Sequence, residues 1–189
     1  MTVKEEIELI LRTSTRPGMD KVIDYLASTD FYTAPASAVM KYHNCFEGGL
    51  ADHSLKVYNT MMAMNRGIPE EKRFHQQSIA VVGTLHDVCK IGVYQPNILK
   101  TTMRLSEEKP YKFDDKFQLG HGEKSLAVLL CLGLELSEEE QLAIRWHMNA
   151  FDAVPHSRCG ESWNNLSILC FLADYFSTKF LEKAVEAPK

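Results

Sequence analysis

No stretch of the 189-residue sequence approaches the roughly 18 uninterrupted apolar residues that a membrane-crossing helix needs. The opening segment, MTVKEEIELI, also lacks the apolar core of a secretory signal. Together these absences predict a cytoplasmic protein with no membrane partner. A one-sided charge is missing too. The 21 Lys and Arg stand against 25 Asp and Glu, a formal net charge of -4, which argues against a broad basic footprint for duplex nucleic acid. A small phosphorylated ligand held by a local cluster of positive charge remains compatible with that balance. The five cysteines, Cys45, Cys89, Cys131, Cys159 and Cys170, form no Cys-x-x-Cys pair, so reduced thiols are expected rather than a zinc knot or redox motif. No internal repeat, low-complexity tract or linker is visible, and the length suits one domain spanning 1–189 with a single buried core.

What is present reads as helix. Residues 2–12 and the segment MDKVIDYLAS give two short amphipathic helices separated by TSTRPG. The segment TDFYTAPASAVMKYHNCFEGG mixes turn formers with aromatics, as in an irregular stretch laid over a core, and Gly48 and Gly49 permit close backbone approach. Ala51, Leu55, Tyr58 and Met62 recur at the spacing of one helix face, predicting a helix from about 51 to 65. A further helix is expected from about 71 to 90. After Gly92, KTTMRLSEEKPYKF suggests one small β-hairpin near residues 100–114. Helix resumes from His121 toward Gly133. SEEE at 137–140 then fits a capping box with Ser137 as cap and Glu140 reaching back, opening a helix that runs to about Met148. FDAVPHSRCGESWNN reads as a loop, and LSILCFLADYFSTKFLEKAVE as a last helix, almost wholly apolar in its first half. The fold class expected is all-α, with a helical core from about 48 to 182.

Several polar residues sit where an apolar helix has no use for them. His53 shares a helical row with Val57, Met61 and Met64, which taken alone suits a hydrogen-bonded core imidazole. His86 lies on a stripe with Val82, Leu85 and Cys89, and Asp87 follows about 100° around the helix, so the two can flank a common centre. Helix capping does not account for the doublet. Asp87 also stands three residues before Lys90, the spacing of an ordinary ion pair worth a few tenths of a kcal/mol, but that leaves His86 unexplained. Asp174, in ILCFLADYFS, is expected to be buried, and a buried carboxylate needs a partner. A Lys or Arg would serve, as would a cation held by the histidines. His121 opens a helix and His147 closes one, positions a capping or dipole-facing imidazole also takes. Taken together, His53, His86, Asp87, His121, His147 and Asp174 form a donor set that Fe, Mn, Ni or Zn accept, with a pair of metals plausible.

The order His, His-Asp, His, His, Asp resembles that of the HD-domain superfamily of metal-dependent phosphohydrolases. GGLADHSLKV resembles the segment with that family's first histidine, LHDVCKIG its signature doublet, and FLADYFS the helix with its final aspartate. GHGEKS and RWHM resemble the extra histidines of a subgroup with a second metal. Further likeness is to small single-domain bacterial HD proteins and to the HD domain of certain bacterial exoribonucleases. Cys89 stands where many relatives carry glycine.

The resemblance implies an HD-domain helical bundle with divalent ions, two of them, between central helices. The metals are Fe, Mn, Ni, Mg or Zn, which the sequence does not distinguish. The implied activity is hydrolysis of a phosphoester of a nucleotide or related small compound by water acidified on the metal. Asp87 is then expected to join both metals, and Lys90 and Lys124 to meet the substrate phosphate as point charges. Both lysines read otherwise as ordinary surface residues, and Arg145, two residues from His147, is expected to face elsewhere. Two rival functions carry the same ligand order: a di-iron HD-type oxygenase, and a nucleotide-sensing module without turnover.

Overall fold

The computed structural model describes residues 1–148 and 163–182. Among these the chain is mostly helical, with seven α-helices and one two-stranded antiparallel sheet. Helix α1 (Val3–Arg12) starts at a capping box between Thr2 and Glu5 and buries Ile7 and Leu11. Helix α2 (Met19–Ser28) follows and turns Met19, Val22, Ile23 and Leu26 inward. A single apolar cluster then joins residues of all seven helices, so α1 and α2, which precede the expected helical core, belong to it as well. No helix among the described residues is long and apolar enough to cross a membrane.

The irregular segment between α2 and α3 lies where the sequence places it, and its end is fixed by the glycine pair. Gly48 sits at φ +82°, a left-handed conformation that side chains rarely adopt, and Gly49 brings its backbone against the Asn44 carbonyl so closely that a Cβ would collide. Helix α3 (Gly49–Arg66) therefore begins tight against this segment, and it packs chiefly on the next helix and the last one.

Instead of one helix over 71–90, the chain makes a short 3-10 turn (Glu70–Lys72), helix α4 (Gln76–Leu85), and a second 3-10 turn (Val88–Lys90). His75 is the α4 N-cap, its ring accepting from the Gln77 N–H. His86 occupies the C-cap, where its Nδ1 donates to the Gly83 carbonyl at 3.0 Å. Capping thus explains one side of the His86 ring, contrary to expectation, and leaves Nε2 free to face elsewhere. Asp87 follows at φ -108°, ψ 17°, outside helical geometry. The break turns the doublet into the interior.

The hairpin is wider than expected. Strand β1 (Tyr94–Pro96) pairs antiparallel with β2 (Tyr111–Phe113), Tyr94 opposite Phe113, and an isolated bridge joins Ile98 to Leu105. The expected first strand is instead a turn: the Leu99 N–H donates to Arg104, and Met103 has a positive φ of 53°. Helix α5 (His121–Cys131) and helix α6 (Glu138–Trp146) follow, the latter with the Ser137 and Glu140 capping box as read. Gly122 lets α5 cross closely over the Arg145 carbonyl at the end of α6, which draws His121 and His147 together.

The last helix, α7 (Asn165–Phe176), ends earlier than expected and passes into a π-helical turn (Ser177–Leu181) before Glu182 turns extended. The Thr178 hydroxyl donates back to the Asp174 carbonyl at 2.7 Å, a local competitor for the helical ladder, and the Glu182 N–H reaches Ser177 five residues back. This widened turn carries Glu182 onto α3. The expected continuation to residue 186, and most of the expected loop at 151–165 with His156 and Cys159, lie outside the described residues.

Candidate metal centre

All six residues singled out from the sequence meet in one place. His53 (α3), the His86–Asp87 doublet, His121 (start of α5), His147 (C-cap of α6) and Asp174 (α7) converge from five segments. His53 Nε2 lies 3.2 Å from His86 Nε2, 3.4 Å from Asp87 Oδ2 and 3.4 Å from Asp174 Oδ1. The other Asp87 oxygen, Oδ1, lies 2.6 Å from His121 Nε2 and 3.5 Å from His147 Nε2. Asp87 thus stands between two imidazole pairs, one oxygen turned to each. His53, His86, Asp87 and His147 are buried. Asp174 is only partly buried, its side chain 17 % exposed, because its helix face borders a cleft rather than the apolar core.

The ring nitrogens are sorted by their outer partners. His86 Nδ1 donates to the Gly83 carbonyl, His147 Nδ1 to the Ile144 carbonyl at 2.7 Å, and His53 Nδ1 to the Glu182 carboxylate at 2.7 Å. A carbonyl or an ionised carboxylate can only accept, so each Nδ1 carries the hydrogen. What remains for the centre is Nε2 of each ring, and all three face carboxylate oxygens that also only accept. Acceptors facing acceptors at 3.2–3.6 Å demand a cation or extra protons between them. His147 Nε2 is buried without any hydrogen-bond partner among the described residues.

The charge balance says the same. Asp87, Asp174 and Glu182 are three carboxylates around His53 and His86, and Lys90, 2.6 Å from Asp87 Oδ2, is the lysine directly paired with one of them. Burial works to lower the His53 pKa, but hydrogen bonds to Asp87 and Glu182 and the field of Asp174 outweigh it and raise it to about 10. Burial likewise opposes His147, whose pKa Asp87 raises. His86 goes the other way: burial, with His147 and His53 beside it, holds it well below its ordinary value. Burial would raise Asp87, yet Lys90, His86 and His121 keep it well below the usual carboxylate range.

These shifts predict a pH dependence. In the metal-free chain His53 keeps its proton to about pH 10, whereas unfolded histidine loses it near 6.5. Its contribution to stability is therefore complete below about 6.5 and is lost as pH rises through about 10. Chelator-treated protein is expected to melt at falling temperature across that window. Saturation with a divalent ion, which needs neutral imidazoles, should flatten the decline. Thermal unfolding at a series of pH values reads both slopes, and an unchanged slope on metal loading would remove His53 from the centre.

Three further residues border the centre that the sequence does not assign to it, although Cys89 stands on the His86 stripe near the ligands. Glu182 fixes the His53 ring from behind, and such outer partners of ligating histidines are typically worth 10–100-fold in metal affinity. Glu182→Ala is accordingly expected to weaken metal binding about 10-fold or more, while Glu182→Gln, still an acceptor, loses less; titration calorimetry separates the two. His43 lies near His53, ring centroids 5.1 Å apart and the rings tilted, and burial, Lys90 and His53 lower its pKa to about 3. Cys89 lies beside His121. Burial, then Asp87, pushes its thiol up to about 12. Donor atoms within 4.8 Å of one another define four groups that can hold a metal ion: His53, His86 and Asp174; His86, Asp87 and His147; Asp87, Cys89 and His121; and His43, His53 and Glu182.

A cleft of about 290 Å³ opens onto the cluster. Asp87, His121, His147 and Asp174 line its floor, Tyr42, Tyr94, Phe171 and Tyr175 its walls, and Lys90 and Lys179 supply positive charge. Phe171 and Tyr175 lie nearly parallel, at 26°. Lys124, expected to meet phosphate here, does not line this cleft. It is buried and bound to Asp115 at 2.6 Å, a partner delivered by the loop after β2. Arg145 is turned to Glu123 and lies over the Trp146 ring at 3.8 Å.

No family model, curated protein or solved structure matches this chain.

Proposed function

We propose that the chain is a metal-dependent phosphohydrolase with an HD-type fold, acting on a nucleotide or related small phosphoester at a dinuclear centre. The observation that carries the reading is the set of Nε2 atoms of His53, His86 and His147, each with its Nδ1 occupied behind it and each aimed at carboxylate oxygens. His53, His86, Asp87 and Asp174 would hold one ion, and Asp87, His121 and His147 the other. Bound divalent ions supply Lewis acidity toward phosphoryl oxygens and acidify water near neutral pH. Asp87 offers one oxygen to each imidazole pair and would so help to hold both ions. Burial alone would lower the Lys90 pKa, but Asp87 raises it, so the ammonium stays charged at the cleft edge, where it can neutralise a phosphoryl oxygen. The aromatic walls suit a flat heterocycle at the far end of the same compound.

The test is metal analysis of protein purified without chelator, followed by an anaerobic panel of phosphoesters with each metal. Phosphoester cleavage without dioxygen supports the reading. Consumption of dioxygen with an organic substrate would move the protein to the oxygenases, and tight nucleotide binding with no product would make it a sensor. His121→Ala with His147→Ala is expected to remove about one metal equivalent, leave the other, and reduce turnover far more than stability. Retention of both equivalents with full activity would refute the dinuclear assignment.

A further inference from the structure

The thiol of Cys89 has no part in the His and Asp set, yet it is built into the centre. The 3-10 turn after Asp87 puts Cys89 opposite α5, where its N–H donates to the buried Ser125 hydroxyl at 3.1 Å and pins the residue. Its Sγ lies 3.5 Å from His121 Nδ1 and 3.6 Å from Nε2, and its donor atom, those of Asp87 and of His121 all fall within 4.8 Å of one another. Ligands at roughly 2.0–2.3 Å from one ion lie no more than about 4.6 Å apart, so this spread is close to that of a single coordination sphere. Independently, His147 Nε2 is buried, unpartnered and aimed at the same Asp87 oxygen that His121 touches. Resting on the dinuclear reading above, we propose that Cys89 is a sulfur ligand of the ion that Asp87 and His121 would hold.

Binding converts the thiol to a thiolate and releases its proton to solvent as the metal–sulfur bond forms. The two metal positions then differ in kind. The one at His53, His86 and Asp174 has only nitrogen and oxygen donors, while the one at His121 gains a soft donor that favours Zn, Fe or Co over Mg.

The experiment is Co(II) loading of the full-length protein to saturation, reduced with a phosphine rather than a thiol, and followed by absorption. Expected is a strong near-ultraviolet sulfur-to-cobalt charge-transfer band that disappears in Cys89→Ser while the bound cobalt and the far-ultraviolet circular dichroism stay unchanged. A band that survives Cys89→Ser assigns the sulfur to another cysteine and overturns the proposal. Two equivalents of cobalt with no band in the unmodified protein also overturn it, and leave the His and Asp centre standing. No cobalt bound at all ends both. Should Cys89→Ser fail to fold, X-ray absorption of the unmodified zinc-loaded protein decides: a sulfur shell at about 2.3 Å is expected, and nitrogen and oxygen scatterers alone would refute it.

Discussion

Asp87→Ala is expected, on the proposed dinuclear phosphohydrolase reading, to abolish tight binding of both metals and to lower phosphoester turnover by roughly 1,000-fold or more, the equivalent of about 4 kcal/mol of lost transition-state stabilisation. The reason is its position: Oδ2 faces His53, His86 and Lys90, and Oδ1 faces His121 and His147, so its two oxygens serve both sides. The double change at His121 and His147 should spare one ion, whereas Asp87→Ala should spare neither. The variant also leaves Lys90 without its carboxylate, in a site where its side chain is 12 % exposed. Asp87→Asn, which restores one acceptor oxygen toward that ammonium, is expected to recover stability but not metal. Elemental analysis after gel filtration, with thermal unfolding alongside, checks both. Two retained equivalents in Asp87→Ala would remove it from the bridging position.

Glu140→Ala carries the largest expected loss of stability. Arg16 donates to both Glu140 oxygens, at 2.7 and 3.0 Å, and the Glu140 side chain is 3 % exposed. The same carboxylate accepts from the Ser137 N–H at 2.9 Å and so closes the α6 capping box. Burial would raise its pKa, but Arg16 and the Ser78 and Ser137 donors lower it, so this contribution is present above about pH 4.5 and lost as pH falls further. Removing one partner of a buried pair costs about 3–5 kcal/mol, because the other charge stays behind. In a chain of this size that is a fall in melting temperature on the order of 10 °C. Replacing both residues by methionine should cost much less, since no charge is then left buried. A Glu140→Ala protein within about 1 kcal/mol of the parent would show that water reaches Arg16 readily.

What could be read from the sequence was whatever local chemistry decides. Helix α2 is bounded by Pro17, Gly18 and its own apolar spacing, and the start of α6 by Ser137 and Glu140, three residues apart. His53, His86, Asp87 and Asp174 stand out because polar groups on apolar helices are costly wherever the helices meet, whereas His121 and His147, at helix ends, are picked out by the resemblance. Glu182 carried no such signal: glutamate in LEKAVE is ordinary for an exposed helix end, and only the π-helical turn, which no periodicity announces, brings it to His53. The end of α4 was missed because apolar spacing runs on through Cys89, although the backbone leaves helical geometry at Asp87. Asp174 was read as more deeply buried than it is, since apolar composition does not reveal which side of a helix borders a cavity. Lys124 reads from the sequence as a phosphate contact or else a surface charge because Asp115, nine residues away across a helix start, is a partner that only the folded loop supplies.

The contact between Glu182 and His53 spans 129 residues of sequence. A growing chain therefore displays His53, His86 and Asp87 long before α7 exists, and until then it holds half a donor set with no carboxylate behind His53. On the proposed reading, an ion captured there would act as a late cross-link between distant parts of the polypeptide, complete only once α7 is made. Closing a loop of about 100 residues by a covalent bridge is worth about 4.7 kcal/mol in the chain-entropy estimate, and an ion gripped at both ends draws on the same restriction of the unfolded chain. On that reading, loss of the ion and global unfolding are expected to coincide in a single calorimetric transition.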